Sequence, residues 1–292
     1  MKKRLFPVAV AVLALGLTGC AGAGSQSGQS SEAAGVKVAA SFYPMAYLAE
    51  EIGGDAVTVT DLTPPGGDAH ELEISPKQVA ELGNQDLVLY LGSGFQPAVE
   101  EAVAMQEVPT LDAMDAVKED QLREGDAHIW LNPMIMAEIG DLTAERLSET
   151  DPNHAETFAH NAKEFRTKME ALDSKYREEL AGCAGATLVT SHEAFGYLAD
   201  AYSLEQIGIT GINPEAEPSP KRLREVEKIA KEHDATTIFF ESTAAQTTAD
   251  RLAEAVGVKT AQLNPIEGTP EQDFVTVMET NLSALSGGLN CK

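Results

Sequence analysis

The sequence predicts an α/β protein of two lobes, each a mostly parallel sheet flanked by helices, joined by one long rigid helix. Short β-branched runs alternate with amphipathic segments, capping residues repeatedly precede proline, and one long amphipathic pattern sits at mid-chain. The first-half runs are VKVAASF (36–42), AVTVTDL (56–62), DLVLYL (86–91) and VPTL (108–111). The second-half runs are ATLVTS (186–191), SLEQIGI (203–209), TTIFFE (236–241) and VKTAQL (258–263). Strand-length runs separated by helical patterns have the rhythm of βαβ units, whose sheets are covered by helices on both faces.

Helix starts are legible because a capping side chain followed by proline supplies an acceptor and a preset φ. The pairs are Ser75-Pro76, Asn132-Pro133, Asp151-Pro152, Ser219-Pro220 and Thr269-Pro270. Gln78 and Gln272 stand at the third helical position and are expected to complete capping boxes. At mid-chain (151–180), Phe158, Ala162, Phe165, Met169, Leu172, Tyr176 and Leu180 recur at intervals of three or four. They form one apolar stripe on roughly eight turns of helix, about 45 Å long. Such a strut permits only small tilts of one lobe on the other. The stripe could instead serve a coiled-coil dimer, but the flanking lobes offer a nearer surface, so a monomer is expected. The predicted limits are 36–150 for the N-terminal lobe, 151–181 for the linking helix and 182–292 for the C-terminal lobe, each lobe with its own core.

Lys2, Lys3 and Arg4 precede an apolar stretch (7–17) too short to remain as a membrane span, followed by small residues. Residues 1–19 therefore read as a secretory signal. They end in Leu17-Thr18-Gly19-Cys20, similar to the bacterial lipobox, in which the cysteine is lipidated. Residues 20–35 (CAGAGSQSGQSSEAAG) hold almost no bulky apolar side chain and are expected to be a flexible tether. The expected location is extracytoplasmic, attached to the cell membrane through the lipid at Cys20 alone. With Cys20 so used, Cys183 and Cys291 remain as an expected disulfide, which would stabilise by about 4–5 kcal/mol on the chain-entropy model.

The whole chain carries 21 basic and 46 acidic side chains and a net charge of −25. Loss of the signal removes three of the basic ones. Such a surface repels nucleic acid and anionic lipid.

Three histidines lie far apart, each in its own motif: His70 in PPGGDAHELEISP (64–76), His128 in DAHIWLNP (126–133) and His192 in TSHEAFGYL (190–198). A lone histidine is usually a hydrogen-bonding residue, and position alters that expectation. His70 follows the second strand, His128 feeds the helix at Asn132-Pro133, His192 lies just past the first strand of the second half, and Glu267 of LNPIEGTP (263–270) follows the last strand. Ligands of open α/β sheets bind beyond the carboxyl ends of the strands, so two residues from each lobe would meet in one interlobe cleft. Three imidazoles and a carboxylate suit tetrahedral zinc. Glu241 of FFES (239–242) is the rival for the fourth position or else an outer partner. His154, His160 and His233 read as structural or exposed, and Glu71, Glu73 and Glu193 as acids near helix starts.

At these residues the chain resembles the metal-binding lipoproteins of bacterial ABC transporters for zinc and manganese. The resemblance runs from about residue 36 to the C-terminus and includes the long helix and INPEAEPSPKRL (212–223). It implies that His70, His128 and His192 are metal ligands and that the fourth is an acid of the last loop. Glu267 matches members with an LNPLE-like motif, whereas Asn264 stands where other members place aspartate. Manganese-type members tend to have a carboxylate at the third position, so His192 favours Zn2+ over Mn2+, although copper and nickel would also bind these donors. The segment VKEDQLREGD (117–126) departs from the long His-rich loop of many zinc-specific relatives.

The function implied is capture of Zn2+ and handover to an ABC transporter permease, with affinity falling steeply below about pH 6 as protons compete for imidazole. Alternatives are a manganese-binding homologue, a secreted zinc-dependent hydrolase with Glu241 or Glu193 as base, and a surface adhesin. Against an enzyme, the chain has no HExxH motif and no nucleophile elbow, and Gly92-Ser93-Gly94 reads as a turn.

Overall fold

The computed structural model describes residues 35–289 and Cys291. The expected signal (1–19), Cys20 and the tether up to residue 34 lie outside them. All eight predicted runs are strands: β1 (Val36–Ala40), β2 (Val57–Asp61), β3 (Leu87–Tyr90), β4 (Thr110–Asp112), β5 (Thr187–Thr190), β6 (Glu205–Gly208), β7 (Thr237–Phe240) and β8 (Lys259–Gln262). They form two four-stranded sheets of the same order, β2-β1-β3-β4 and β6-β5-β7-β8. Every pair is parallel; Val38 lies opposite both Val59 and Leu87, and Val189 opposite both Ile207 and Ile238. Strand order therefore reverses between β1 and β3 and between β5 and β7, the places where such sheets open a crevice. Central strand β3 is apolar on both faces, and so is β1 apart from the exposed Lys37 near its start, because helices cover both faces, whereas edge strand β2 alternates half-buried and exposed residues.

The helices are α1 (Tyr43–Gly53), α2 (Pro76–Leu82), α3 (Pro97–Ala104), α4 (Pro133–Thr150), α5 (Ala155–Glu179), α6 (Gly196–Ala201), α7 (Pro220–Glu232), α8 (Thr243–Val256) and α9 (Phe274–Gly288). Ser75 and Gln78 form the predicted capping box of α2, Asn132 accepts from the Met134 N–H at 2.9 Å, and Ser219 accepts from the Arg222 N–H at 3.1 Å. Two predicted starts differ. Asp151 caps a 3-10 turn (Pro152–His154), so α5 begins at Ala155; its 25 residues span about 37 Å rather than 45 Å. Thr269-Pro270 starts no helix, and Gln272 completes no capping box. Asp273 caps α9 instead, accepting from the Thr276 N–H at 3.0 Å and its hydroxyl at 2.7 Å. The intervening residues continue the loop that carries Glu267.

The stripe on α5 is buried within the chain, Phe158, Met169 and Tyr176 completely, so this face offers no seam to a coiled-coil partner. Its N-terminal half packs on α1 and α4, where Gly140 permits close approach: a Cβ there would meet Phe165 Cδ1 at 2.9 Å. Its C-terminal half packs on α9, where the Tyr176 hydroxyl donates to the Met278 carbonyl at 2.7 Å. Burial of each large stripe side chain contributes about 1.5–3 kcal/mol.

The expectation of one separate core per lobe is not met. A single apolar cluster runs from Val38 and Leu89 through Trp130 and the α5 stripe to Leu188, Phe239 and Leu285. Smaller clusters lie on the far face of each sheet, around Val88 and Val99 under α2 and α3 and around Val189 and Val226 under α7 and α8. The inner faces of both sheets and the long helix bury their apolar surface against one another, which forms one continuous core. Cys183, just past α5, is bonded to Cys291, as expected. Among the described residues, no helix is long and apolar enough to cross a membrane.

Candidate metal centre

His70, His128, His192 and Glu267 converge at the carboxyl ends of the strands. Nε2 of His70, His128 and His192 lie 3.2, 3.1 and 3.2 Å from the same Glu267 Oε1. The four candidate donor atoms all lie within 4.8 Å of one another. In a tetrahedral zinc shell with bonds near 2.0–2.1 Å, neighbouring donors are about 3.3 Å apart, so the three N···O edges already have that spacing. His128 and His192 are fully buried, while His70 and Glu267 keep 12% and 14% of their side-chain surface. An ion would therefore enter past those two.

Each element places its candidate ligand by local chemistry. The tetrapeptide Gly-Asp-Ala-His occurs twice, ending at His70 and His128. In both copies the aspartate accepts the backbone N–H of the histidine, Asp68 at 2.7 Å and Asp126 at 3.0 Å. Asp126 also faces His128 Nδ1 at 2.8 Å. Glu241, at the end of β7, faces His192 Nδ1 at 2.5 Å. Each carboxylate requires a proton on the nitrogen it faces, which leaves Nε2 directed into the site. Below the rings lies an aromatic floor: Phe95 packs edge-on to His70 with centroids 4.6 Å apart, and Phe42 and Trp130 continue it.

The Glu267 loop is pinned from two sides. Trp130 Nε1 donates to the Pro265 carbonyl at 2.7 Å, while Asn281 exchanges two hydrogen bonds with the Asn264 backbone, at 2.8 and 2.7 Å. Asn264 directs its side-chain oxygen to the Ile266 N–H at 2.7 Å, and Ile266 adopts φ +60°, an unusual conformation for a β-branched residue. Asn264 thus shapes the loop, and Glu267 occupies the cleft.

The electrostatics follow from this packing. Burial disfavours charge on His192, but the hydrogen bonds to Glu241 and Glu267 outweigh it and push its pKa up to about 10. His128 is raised against the same burial by Asp126 and Glu267. Burial would raise Glu267, yet its three histidine partners hold it well below the usual carboxylate range. Without metal, His128 and His192 thus favour the imidazolium form beside the Glu267 carboxylate, and a divalent cation would take the place of their protons.

The sequence reading missed Asp126 as the partner of His128, although the repeated Gly-Asp-Ala-His was a visible signal. It also missed Arg123, which joins Asp126 to the second lobe. Glu193 pairs loosely with Arg222 at 3.5 Å, Glu71 and Glu73 are exposed, and His154, His160 and His233 lie outside the cluster.

The chain is similar to several known proteins. The High-affinity zinc uptake system protein ZnuA of Bacillus subtilis is 31% identical over 99% of this chain and 98% of its own length. The Zinc-binding lipoprotein AdcA of Streptococcus pneumoniae is 33% identical over 86% of this chain, which spans only 55% of AdcA. The crystal structure of the Zn(II)-bound ZnuA-like domain of that AdcA superposes with TM-score 0.75 at 32% identity, covering 87% of this chain and 98% of the domain. The laminin-binding protein Lmb of Streptococcus agalactiae, described as bifunctional with adhesin and metal transporting activity, superposes with TM-score 0.80 at 31% identity over 87% of this chain and 99% of its own. The model of the ZnuA family, zinc-uptake complex component A, periplasmic, matches residues 38–288, and the chain belongs to that family.

Proposed function

We propose that this protein captures Zn2+ outside the cytoplasm and delivers it to the permease of an ABC transporter, with His70, His128, His192 and Glu267 as its ligands. The observation that carries this reading is the set of three imidazole Nε2 atoms arranged around one carboxylate oxygen. Three nitrogens and one oxygen favour zinc over manganese. Four protein donors fill a tetrahedral shell and leave no position for the water that a zinc hydrolase needs, and of the relatives named above AdcA is a zinc-binding lipoprotein and ZnuA a zinc uptake protein. In this reading the protein is monomeric, Cys20 carries the lipid anchor, and the three regions divide at about residues 150 and 181.

Calorimetric titration of the chelator-stripped protein with zinc, repeated on Glu267→Ala and with manganese as competitor, tests the proposal. One tight site, weakened by the substitution and not displaced by manganese, is the expected result. No tight site, or equal preference for manganese, would overturn it. The description of Lmb favours a second, adhesive role; retention on immobilised laminin by both the parent and Glu267→Ala would establish it separately from zinc.

A further inference from the structure

We infer that Arg123 is a positioning residue that clasps the loop bearing His128 onto helix α6 of the second lobe, and that this clasp sets how slowly zinc leaves the site. The inference deepens the zinc reading above and rests on it.

Arg123 lies in the acidic segment that follows β4. Its Nε donates to Asp126 Oδ2 at 3.1 Å, its Nη1 to Asp200 Oδ2 at 2.7 Å, and its backbone N–H to the Tyr197 hydroxyl at 3.1 Å. Tyr197 and Asp200 both belong to α6. The other oxygen of Asp126 holds the backbone and ring nitrogens of His128. One guanidinium therefore spans two carboxylates on opposite lobes, and one of those carboxylates orients a ligand. The partner of His192 differs in this respect: Glu241 directly follows β7, which pairs with β5 in the same sheet.

Gly196 supplies an independent observation. A Cβ at this first residue of α6 would come within 2.4 Å of both Arg123 Nε and Asp126 Oδ2. The backbone of the second lobe thus leaves the space that the ion pair of the first lobe fills. Asp126 is 3% exposed and Asp200 61% exposed, so the two arms differ in strength. The inner arm works in a dry setting, whereas solvent and salt screen the outer one. Separation of the lobes at α6 must withdraw Arg123 from Tyr197 and Asp200, and through Asp126 it turns the His128 ring. Opening and loss of a ligand become one event.

The test is chelator-driven zinc release from the loaded full chain, followed by stopped flow. Arg123→Ala is expected to speed release about tenfold or more, the scale on which loss of outer partners weakens metal sites, with the association rate unchanged. Arg123→Lys, which keeps the charge but cannot span two carboxylates, should recover only part of the slow release. Gly196→Ala should reproduce the fast release without removing any charged group. Amide hydrogen exchange of the metal-free chain gives a second readout: Arg123→Ala should raise exchange in both 123–131 and 196–201. Release from Arg123→Ala as slow as from the zinc-binding parent would overturn the inference, as would faster exchange confined to 123–131. If the parent takes up no zinc, the zinc reading fails by itself. Exchange then decides the clasp, a rise in both segments supporting it and unchanged exchange overturning it.

Discussion

Glu241 accepts both the backbone N–H of His192, at 3.1 Å, and its ring Nδ1–H, at 2.5 Å, across 49 residues of chain. The end of β7 thereby sets the tautomer and the orientation of a histidine that follows β5. Glu241→Ala is expected to weaken zinc binding about 10- to 100-fold, as loss of such partners generally does. Glu241→Gln, whose amide oxygen can still accept from Nδ1, should weaken it less. Competition against a chelator of known zinc affinity measures both.

The charge state of the metal-free site predicts its pH dependence. With the His192 pKa at about 10, zinc must displace a proton from this ring throughout the neutral range. Affinity should therefore keep rising from about pH 6 to about pH 9, rather than level off above the ordinary imidazole value near 6.5. Calorimetry in two buffers of different ionisation enthalpy should show proton release at about pH 7.5.

The same shifts govern the stability of the metal-free protein. A histidine whose folded pKa is raised contributes stability that is fully present below its unfolded pKa, about 6.5, and is lost as pH climbs toward about 10. Glu267, with its pKa lowered, contributes stability above its unfolded value and loses it only in acid, as pH falls through the folded value. The thermal midpoint of the metal-free form should thus decline between about pH 7 and about pH 10, a decline that bound zinc suppresses. Thermal scans with and without zinc check this.

Removing the Asn281 side chain should loosen the Glu267 loop. Asn281 is 2% exposed and satisfies both backbone groups of Asn264, so Asn281→Ala leaves two polar groups unpaired, at about 1–3 kcal/mol each. Urea unfolding should show the loss, and zinc affinity should fall with it because Ile266, at φ +60°, is held by this loop.

Breaking the Cys183–Cys291 bond releases a closed loop with a sequence separation of 108. Cys291→Ser is expected to lower stability by about 4–5 kcal/mol. Denaturant unfolding of the two proteins, with and without reductant, should give that difference only in the absence of reductant.

What could be read in advance divides along physical lines. The eight strands were legible because β-branched runs of strand length are a local signal. Ser75, Asn132 and Ser219 were legible because a cap acts within three residues of itself. Thr269 misled because its pattern is also local, but the cleft needs residues 263–272 as a loop to carry Glu267, and Asp273 offers a cap at the point where the apolar face of α9 begins. Asp126 went unread although the repeated Gly-Asp-Ala-His contained it, since a repeat of four residues does not say which copy also grips the ring.

By itself the sequence determined the α/β class, the strands, most helix starts and the strand-end positions of His70, His128, His192 and Glu267, because periodicity, capping and turn chemistry act over a few neighbouring residues. Only the tertiary structure decided that the lobes share one core, that Glu267 rather than Asn264 or Glu241 faces all three imidazoles, and that Asp126, Glu241 and Arg123 stand behind them. Those outcomes depend on which distant segments bury their surfaces together, and no local pattern specifies the distance between two side chains that meet only after the chain has folded.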